Sequence, residues 1–166
     1  MKYYIITDTH FNHKKLIEYG RQENFEELIW KGLKELPQDC TLIHLGDICI
    51  GNDLEVHSKL NYTLSNTIKR ILVKGNHDNK SNTWYLEHGW DFVCKSMSDH
   101  FYGQYITFSH EPIKGVKNIN IHGHFHDDEH RKRESDSYYK PSLHKLLAIE
   151  RTNYYPVSLE KFLSKL

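Results

Sequence analysis

Cysteine is scarce in this 166-residue chain and never occurs in a Cys-x-x-Cys spacing: Cys40, Cys49 and Cys94 stand far apart. That excludes a disulfide framework and a zinc knuckle, and leaves the three as small apolar fillers in a reducing compartment. An excess of one charge is also missing, since 22 Lys plus Arg balance 22 Asp plus Glu. No global field gathers a polyanion or an anionic membrane, although a nucleotide substrate remains compatible with neutrality. No apolar run reaches membrane-spanning length, and "MKYYIITD" enters a strand pattern with no signal-type apolar region before it. The expectation is a cytoplasmic protein without a membrane partner. Internal repeats and linkers are absent and the length suits one core, so residues 1–166 are read as a single domain.

What the chain has in quantity is histidine, thirteen of them, several at the ends of apolar runs. So many imidazoles in such places ask for a metal or for proton transfer. "YYIIT" predicts a central strand that delivers Asp8 to a sheet edge, and "TLIHLGD" and "KRILVKGNHD" predict two more, ending at Asp47 and at Asn76 with His77. Between them, "FEELIWKGLKEL" predicts a helix capped by Asn24, with Glu27 completing a capping box and Pro37 stopping it. "DLEVHSKLNYTLSN" predicts a second helix with Leu54, His57, Leu60 and Leu64 along one side. The order βαβαβ favours parallel strands with helical crossovers. After a short helix around Trp84–His88 the chain turns sheet-rich, with a tight hairpin at "YGQY" and strand ends at His110 and at His124 with His126. "DDEHRKRESDSYYKPS" reads as a mobile surface loop, "LHKLLAIERTNYYP" returns to strand character, and Ser158 caps a final helix.

Five strand ends thus carry the same kind of residue: Asp8 and His10, Asp47, Asn76 and His77, His110, and His124 with His126. Two carboxylates, an amide carbonyl and several imidazoles suit borderline divalent ions rather than calcium. Seven candidate ligands are too many for one tetrahedral ion and enough for two that share a carboxylate. The ordered blocks Asp-x-His, Gly-Asp, Gly-Asn-His-Asp, His and Gly-His-x-His, running from Asp8 to His126, resemble the calcineurin-like metallophosphoesterase superfamily, specifically its small single-domain bacterial and phage members. The "DTHFNH" opening and the "NYYPVSLEKF" ending resemble those members too.

The resemblance implies an α/β fold, a metallophosphoesterase-like two-sheet sandwich flanked by helices, with the metal site at the carboxyl ends of the strands. It implies one metal held by Asp8, His10 and His126, a second held by Asn76, His110 and His124, and Asp47 bridging them. His77 would then face the phosphoryl group as general acid or charge stabiliser, with Asp78 as the partner of its other ring nitrogen and Gly75 permitting the close turn. The cofactor expectation is two divalent ions, manganese first, with iron, zinc, nickel, cobalt or magnesium as alternatives. Two such ions about 4 Å apart activate a bridging water and steady an in-line displacement, without a phospho-enzyme.

The expected activity is therefore hydrolysis of a small or nucleotide phosphodiester; a phosphomonoesterase using the same site and a non-catalytic scaffold of the same fold are the alternatives. Nucleic-acid ends are a further substrate class, and a monomer or a homodimer fits equally. Several residues carry two readings. Asp8 and Asp47 taken singly also suit helix caps. His13 suits a substrate contact or a loop hydrogen bond, and His122 suits support or plain packing rather than ligation. Arg131 and Arg133, with Lys132 between them, suit a phosphate clamp or a solvated face whose acidic neighbours cancel it. Tyr138 and Tyr139 suit base stacking or pinning of the loop.

Overall fold

The computed structural model describes residues 1–127 and 137–166. Strands β1 (Lys2–Ile6), β2 (Cys40–His44) and β3 (Lys69–Val73) alternate with helices α1 (Phe25–Lys34) and α2 (Asp53–Thr63). After α3 (Asn82–Glu87), β4 (Phe92–Cys94) joins β3, giving four neighbouring parallel strands. A second sheet holds β5 (Ser96–Phe101), β6 (Gln104–Ser109), β7 (Ile119–His122) and β8 (His144–Leu146) in that order. β5 and β6 form a hairpin and the remaining pairs are parallel. The short β9 (Val157–Ser158) returns antiparallel to β1, so the first sheet reads β4-β3-β2-β1-β9, and α4 (Leu159–Leu163) follows. The expected architecture, two sheets flanked by helices, is the one observed.

The two cores follow from strand periodicity. Ile5, Ile43 and Val73 meet Ile106, Phe108 and Ile121 of the second sheet, whereas their neighbours Ile6, Leu42 and Leu72 face the helices and meet Ile29, Leu33 and Leu60. Successive side chains of a strand point to opposite faces, so a strand covered on both faces must be apolar throughout. The β5–β6 turn holds Tyr102 and Gly103 at φ 50° and 80°, with Phe101 opposite Gln104. Two left-handed residues in a two-residue loop match the twist of the flanking strands. Among the described residues no helix is long and apolar enough to cross a membrane.

Three local expectations change. Asn24 does stand at the start of α1, but its side chain accepts no capping hydrogen bond, so the capping box with Glu27 does not form. Its backbone lies near the bridge region (φ −97°, ψ 20°) rather than the extended conformation that turns an N-cap oxygen back onto the helix. On α2 the buried face consists of Val56, His57 and Leu60, and Leu54 is 62 % exposed. The stretch read as strand after residue 142 divides into β8 and a 3-10 turn at Ile149–Thr152, because Ile149 turns into the helix-side core and Thr152 ties its hydroxyl to the Ile149 carbonyl. Most of the segment read as a mobile loop, residues 128–136, lies outside the described residues. Ser158 caps α4 as expected, accepting from the Lys161 amide.

The placement of α2 is open to a direct test. Leu60→Ala empties a core position and should cost about 2–5 kcal/mol, whereas Leu54→Ala should stay within about 0.5 kcal/mol. Urea unfolding of the two variants distinguishes this register from one that buries Leu54.

Candidate metal centre

Every predicted site residue of the ordered blocks lies just beyond the carboxyl end of a strand: Asp8 after β1, Asp47 after β2, Asn76 after β3, His110 after β6, and His124 and His126 after β7. The backbone there is unusual. Asp8, His10, Asp47, His124 and His126 all have left-handed φ, between 45° and 68°. Asp and His tolerate this region better than branched residues do, but such conformations still cost about 1–3 kcal/mol each and persist only when their surroundings hold them. The holding is visible: the amides of Asp8, His10 and Phe11 donate to the carbonyls of Gly46, Asp47 and Ile48, at 2.9, 3.0 and 2.9 Å. The β1 and β2 loops thus stay paired beyond the strands.

The donor atoms gather into two groups, Asp8 with His10 and His126, and Asp47 with His110 and His124. In the first, Asp8 Oδ1 lies 3.7 Å from His10 Nε2 and 3.8 Å from His126 Nε2. In the second, His110 Nε2 lies 3.3 Å from Asp47 Oδ2 and 3.1 Å from both His124 Nδ1 and Asn76 Oδ1. Asp47 Oδ2 is also 3.5 Å from His10 Nε2, so one oxygen faces both groups. Each carboxylate is divided in the same way. Asp8 Oδ2 accepts from Thr7 Oγ1 and the His124 amide, and Asp47 Oδ1 accepts from the His77 amide. Asp8 Oδ1 is buried with no hydrogen-bond partner. A buried carboxylate oxygen left unpaired among imidazole nitrogens is what a cation site requires, so these residues fit the divalent ions that the resemblance implies.

The electrostatics of the ion-free arrangement point the same way. Burial opposes ionisation of Asp8, yet the neighbouring His110, His126 and His10 hold its carboxyl well below the usual range. Burial pushes His10 down to about 3 despite Asp8 and Asp47, which leaves a neutral ring with a lone pair to offer. His110 behaves oppositely: burial works against its charge, but the hydrogen bond with Asp47 and the charges of Asp8 and Asp47 raise it to about 9.

Three glycines make room for the carboxylates. A Cβ on Gly75 would collide with Asp47 Oδ1, one on Gly123 with Thr7 Oγ1 and Asp8 Oδ2, and one on Gly46 with the backbone of Gly75. Of the three only Gly46 has positive φ, at 93°, so at Gly75 the need is space rather than the turn conformation read from the sequence.

His77 sits at the mouth of the site with its side chain 42 % exposed, its Nε2 3.9 Å from Asp47 Oδ2 and its ring 5.4 Å from that of His10. Asp78 is not its partner, contrary to the sequence reading. The Asp78 carboxylate is buried and accepts from the amides of Asp47, Gly75 and Ile48, at 2.8, 2.8 and 3.1 Å. Both of its oxygens are engaged in stapling the β2 and β3 loops together. His13 packs against His10, with ring centroids 5.6 Å apart, and its Nδ1 is buried without a partner. His122 stands outside both donor groups, held between the Gly123 carbonyl and the Tyr139 hydroxyl, so Tyr139 pins the chain rather than offering a free ring. Arg131 and Arg133 lie outside the described residues.

Other contributors carry no motif. His44 is fully buried and burial pushes it down to about 3; its Nδ1 accepts from the Gly46 amide and its Nε2 meets Thr9 Oγ1, which donates on to the Ile48 carbonyl. Arg21 and Glu150 form a buried ion pair at 2.9 Å behind His126. The one sequence signal for this pair is a Glu set directly after the apolar "LLAI". Two clefts flank the centre. One of about 590 Å³ is lined by Lys74, Asn76, Lys95 and His110, and the other, of about 860 Å³, by His13, Lys15, Tyr19 and His126.

Known proteins resemble this chain in sequence and in fold. The family model described as calcineurin-like phosphoesterase matches residues 1–165. An uncharacterized protein from Methanocaldococcus jannaschii is 27 % identical over 168 residues, which span 96 % of this chain and 88 % of that one. The crystal structure of a protein of unknown function from Aquifex aeolicus superposes with a TM-score of 0.73, at 24 % identity and over 99 % of both chains, a likeness of fold.

Two outcomes are expected. Gly123→Ala should abolish binding of at least one Mn²⁺ in a calorimetric titration, because its methyl group displaces the pairing of Thr7 with Asp8; unchanged binding would show that the cradle yields. Because Asp47 and Asp8 raise His110 to about 9, metal uptake at pH 7 should release its proton, and affinity should rise with pH up to that value. Titration in buffers of different ionisation enthalpy counts the protons released, and a count of zero would contradict the assignment of His110 as a ligand.

Proposed function

Because the chain belongs to the calcineurin-like phosphoesterase family, we propose that it is a phosphodiesterase acting on a small or nucleotide phosphodiester with two divalent ions, manganese foremost. The observation that carries this reading is the convergence of two donor groups on the single carboxylate of Asp47, with His77 at their mouth and a cleft on either side. When bound, a pair of divalent ions supplies an activated water and neutralises charge on the phosphoryl oxygens.

The chain's own residues supply the rest. Asp8, His10 and His126 would hold one ion, and Asn76, His110 and His124 the other, with the Asp47 carboxylate facing both. The His77 amide is anchored on Asp47 Oδ1 and its ring is half-exposed, which supports a role in which an N–H of the ring would donate to the developing charge or to the leaving oxygen of a bound phosphoryl group. Cys49 takes no part: it is buried, and burial pushes its thiol up to about 12. The two clefts favour a diester over a monoester, since a phosphorus with two ester arms needs room on both sides. Lys74 and Lys95 line one side, and the 80 % exposed ring of Tyr19 lines the other. An exposed aromatic face suits a nucleobase, which supports a nucleotide arm or an accessible nucleic-acid end there.

Metal-stripped protein resupplied with Mn²⁺ should hydrolyse bis-p-nitrophenyl phosphate faster than p-nitrophenyl phosphate. His77→Asn should keep both ions and lose about 10²–10⁴-fold in rate. Asp78→Asn should instead lose about 1–3 kcal/mol of stability, as amides that it holds lose an acceptor. Turnover of the monoester alone would make the protein a phosphatase, and two bound ions with no turnover of either compound would favour a binding scaffold.

A further inference from the structure

Behind the first donor group stands a pair whose two members make opposite demands on one atom. His126 Nδ1, the nitrogen turned away from Asp8, lies 3.0 Å from Arg21 Nη2 and 3.2 Å from Glu150 Oε1. A guanidinium carries only N–H donors and an ionised carboxylate only acceptors. If Nδ1 bears the proton it donates to Glu150, and Nε2 presents its lone pair toward Asp8 Oδ1. If Nδ1 is bare it accepts from Arg21, and the proton moves to Nε2, where it blocks a cation. One contact selects the ligating tautomer and the other opposes it.

Two other imidazoles, those of His110 and His10, are placed differently among the described residues. His110 Nδ1 faces the Leu45 carbonyl at 2.7 Å, an acceptor that fixes its tautomer outright. His10 Nδ1 is buried with no hydrogen-bond partner. Within the group of Asp8, His10 and His126, Glu150 is therefore the acceptor that sets a ligand's proton. Arg21 is committed elsewhere as well: its side chain is 3 % exposed, and it donates to the Asp8 carbonyl at 2.7 Å, to the Thr9 carbonyl at 3.4 Å and to Glu150 at 2.9 Å. It also lies 5.1 Å from the centre of the Phe25 ring. It thereby fixes the left-handed Asp8 backbone and holds Glu150 against His126.

We propose that Arg21 and Glu150 are a positioning pair in which Glu150 overrides Arg21 at His126 Nδ1, so that His126 Nε2 is free for a divalent ion held with Asp8 and His10. Glu150 acts through His126 and Arg21 through Glu150 and the Asp8 carbonyl. The inference rests on the two-ion reading above, but its first readout needs no ion.

The test uses the full-length chain labelled with ¹⁵N. Long-range ¹⁵N–¹H correlation reads the tautomer of each histidine without metal, and calorimetry with Zn²⁺ reads the two binding steps. The wild type should show His126 protonated on Nδ1. Glu150→Gln should shift His126 toward the Nε2-protonated form and weaken one Zn²⁺ step by about 10–100-fold while sparing the other. Arg21→Met, which removes the competing donor together with the grip on the Asp8 carbonyl, should keep the Nδ1 proton on His126 although it weakens Zn²⁺ binding. An Nε2 proton on His126 in the wild type overturns the proposal. So does a shift of the His126 proton to Nε2 in both variants, the pattern of a purely structural ion pair, and so does an unchanged tautomer in Glu150→Gln. Fewer than two Zn²⁺ bound by the wild type, with the tautomer as expected, would overturn the two-ion reading while leaving the hydrogen-bond assignment standing.

Discussion

Two carboxylates buried side by side are the condition on which the rest of the molecule is built. Asp8 and Asp47 are each about 1 % exposed, and two like charges out of water are tolerable only if each is hydrogen-bonded and the surplus is neutralised. The chain meets the first demand with backbone amides, His124 onto Asp8 and His77 onto Asp47, and those amides belong to the motifs that also deliver imidazoles. The surplus falls to the oxygens that face the donor groups. Ligand geometry and charge compensation are thus one arrangement, and the glycines beside both carboxylates follow from it, because a methyl group at either place would occupy the space of an oxygen.

The same condition explains where strain is allowed. Five donor-group residues with left-handed backbones would be a poor way to end strands in a fold selected for stability alone. They are affordable because the strands beneath them are apolar on both faces, with Ile5, Ile43, Val73 and Phe108 all at 0 % exposure. A rigid sandwich supports loops that would not hold their shape alone. The three-amide grip of Asp78 and the Thr9–His44 contact carry that rigidity into the loops themselves.

Much of this could be read from the chain. The strands declared themselves through short apolar runs, and the residues of the two donor groups through their repeated place at the ends of those runs. The failures share a cause. Leu54 against Val56 is a choice between faces of a helix whose apolar residues are sparse, and only the packed sheet decides it. Asp78 looked like a partner for His77 because they are adjacent in sequence, whereas the loops turn it toward amides 30 positions away. Arg21 and Glu150 are 129 positions apart, and neither belongs to a motif. Short-range chemistry was legible, and contacts created by closing the two sheets were not.

The closing contacts have a consequence for how the protein comes into being. β1 is made before β9, so one of its edges waits for Val157–Ser158, while Asp8 waits for the His124 amide and the His126 ring, and His126 for Glu150. During synthesis on the ribosome, the first strand therefore emerges with an open edge and an unneutralised carboxylate behind it, long before the residues that answer them exist. Vectorial translation exposes this fold to mispairing at its amino-terminal strand, and a chain cut short before residue 150 would still contain every motif ligand while lacking the groups that hold His126 in place.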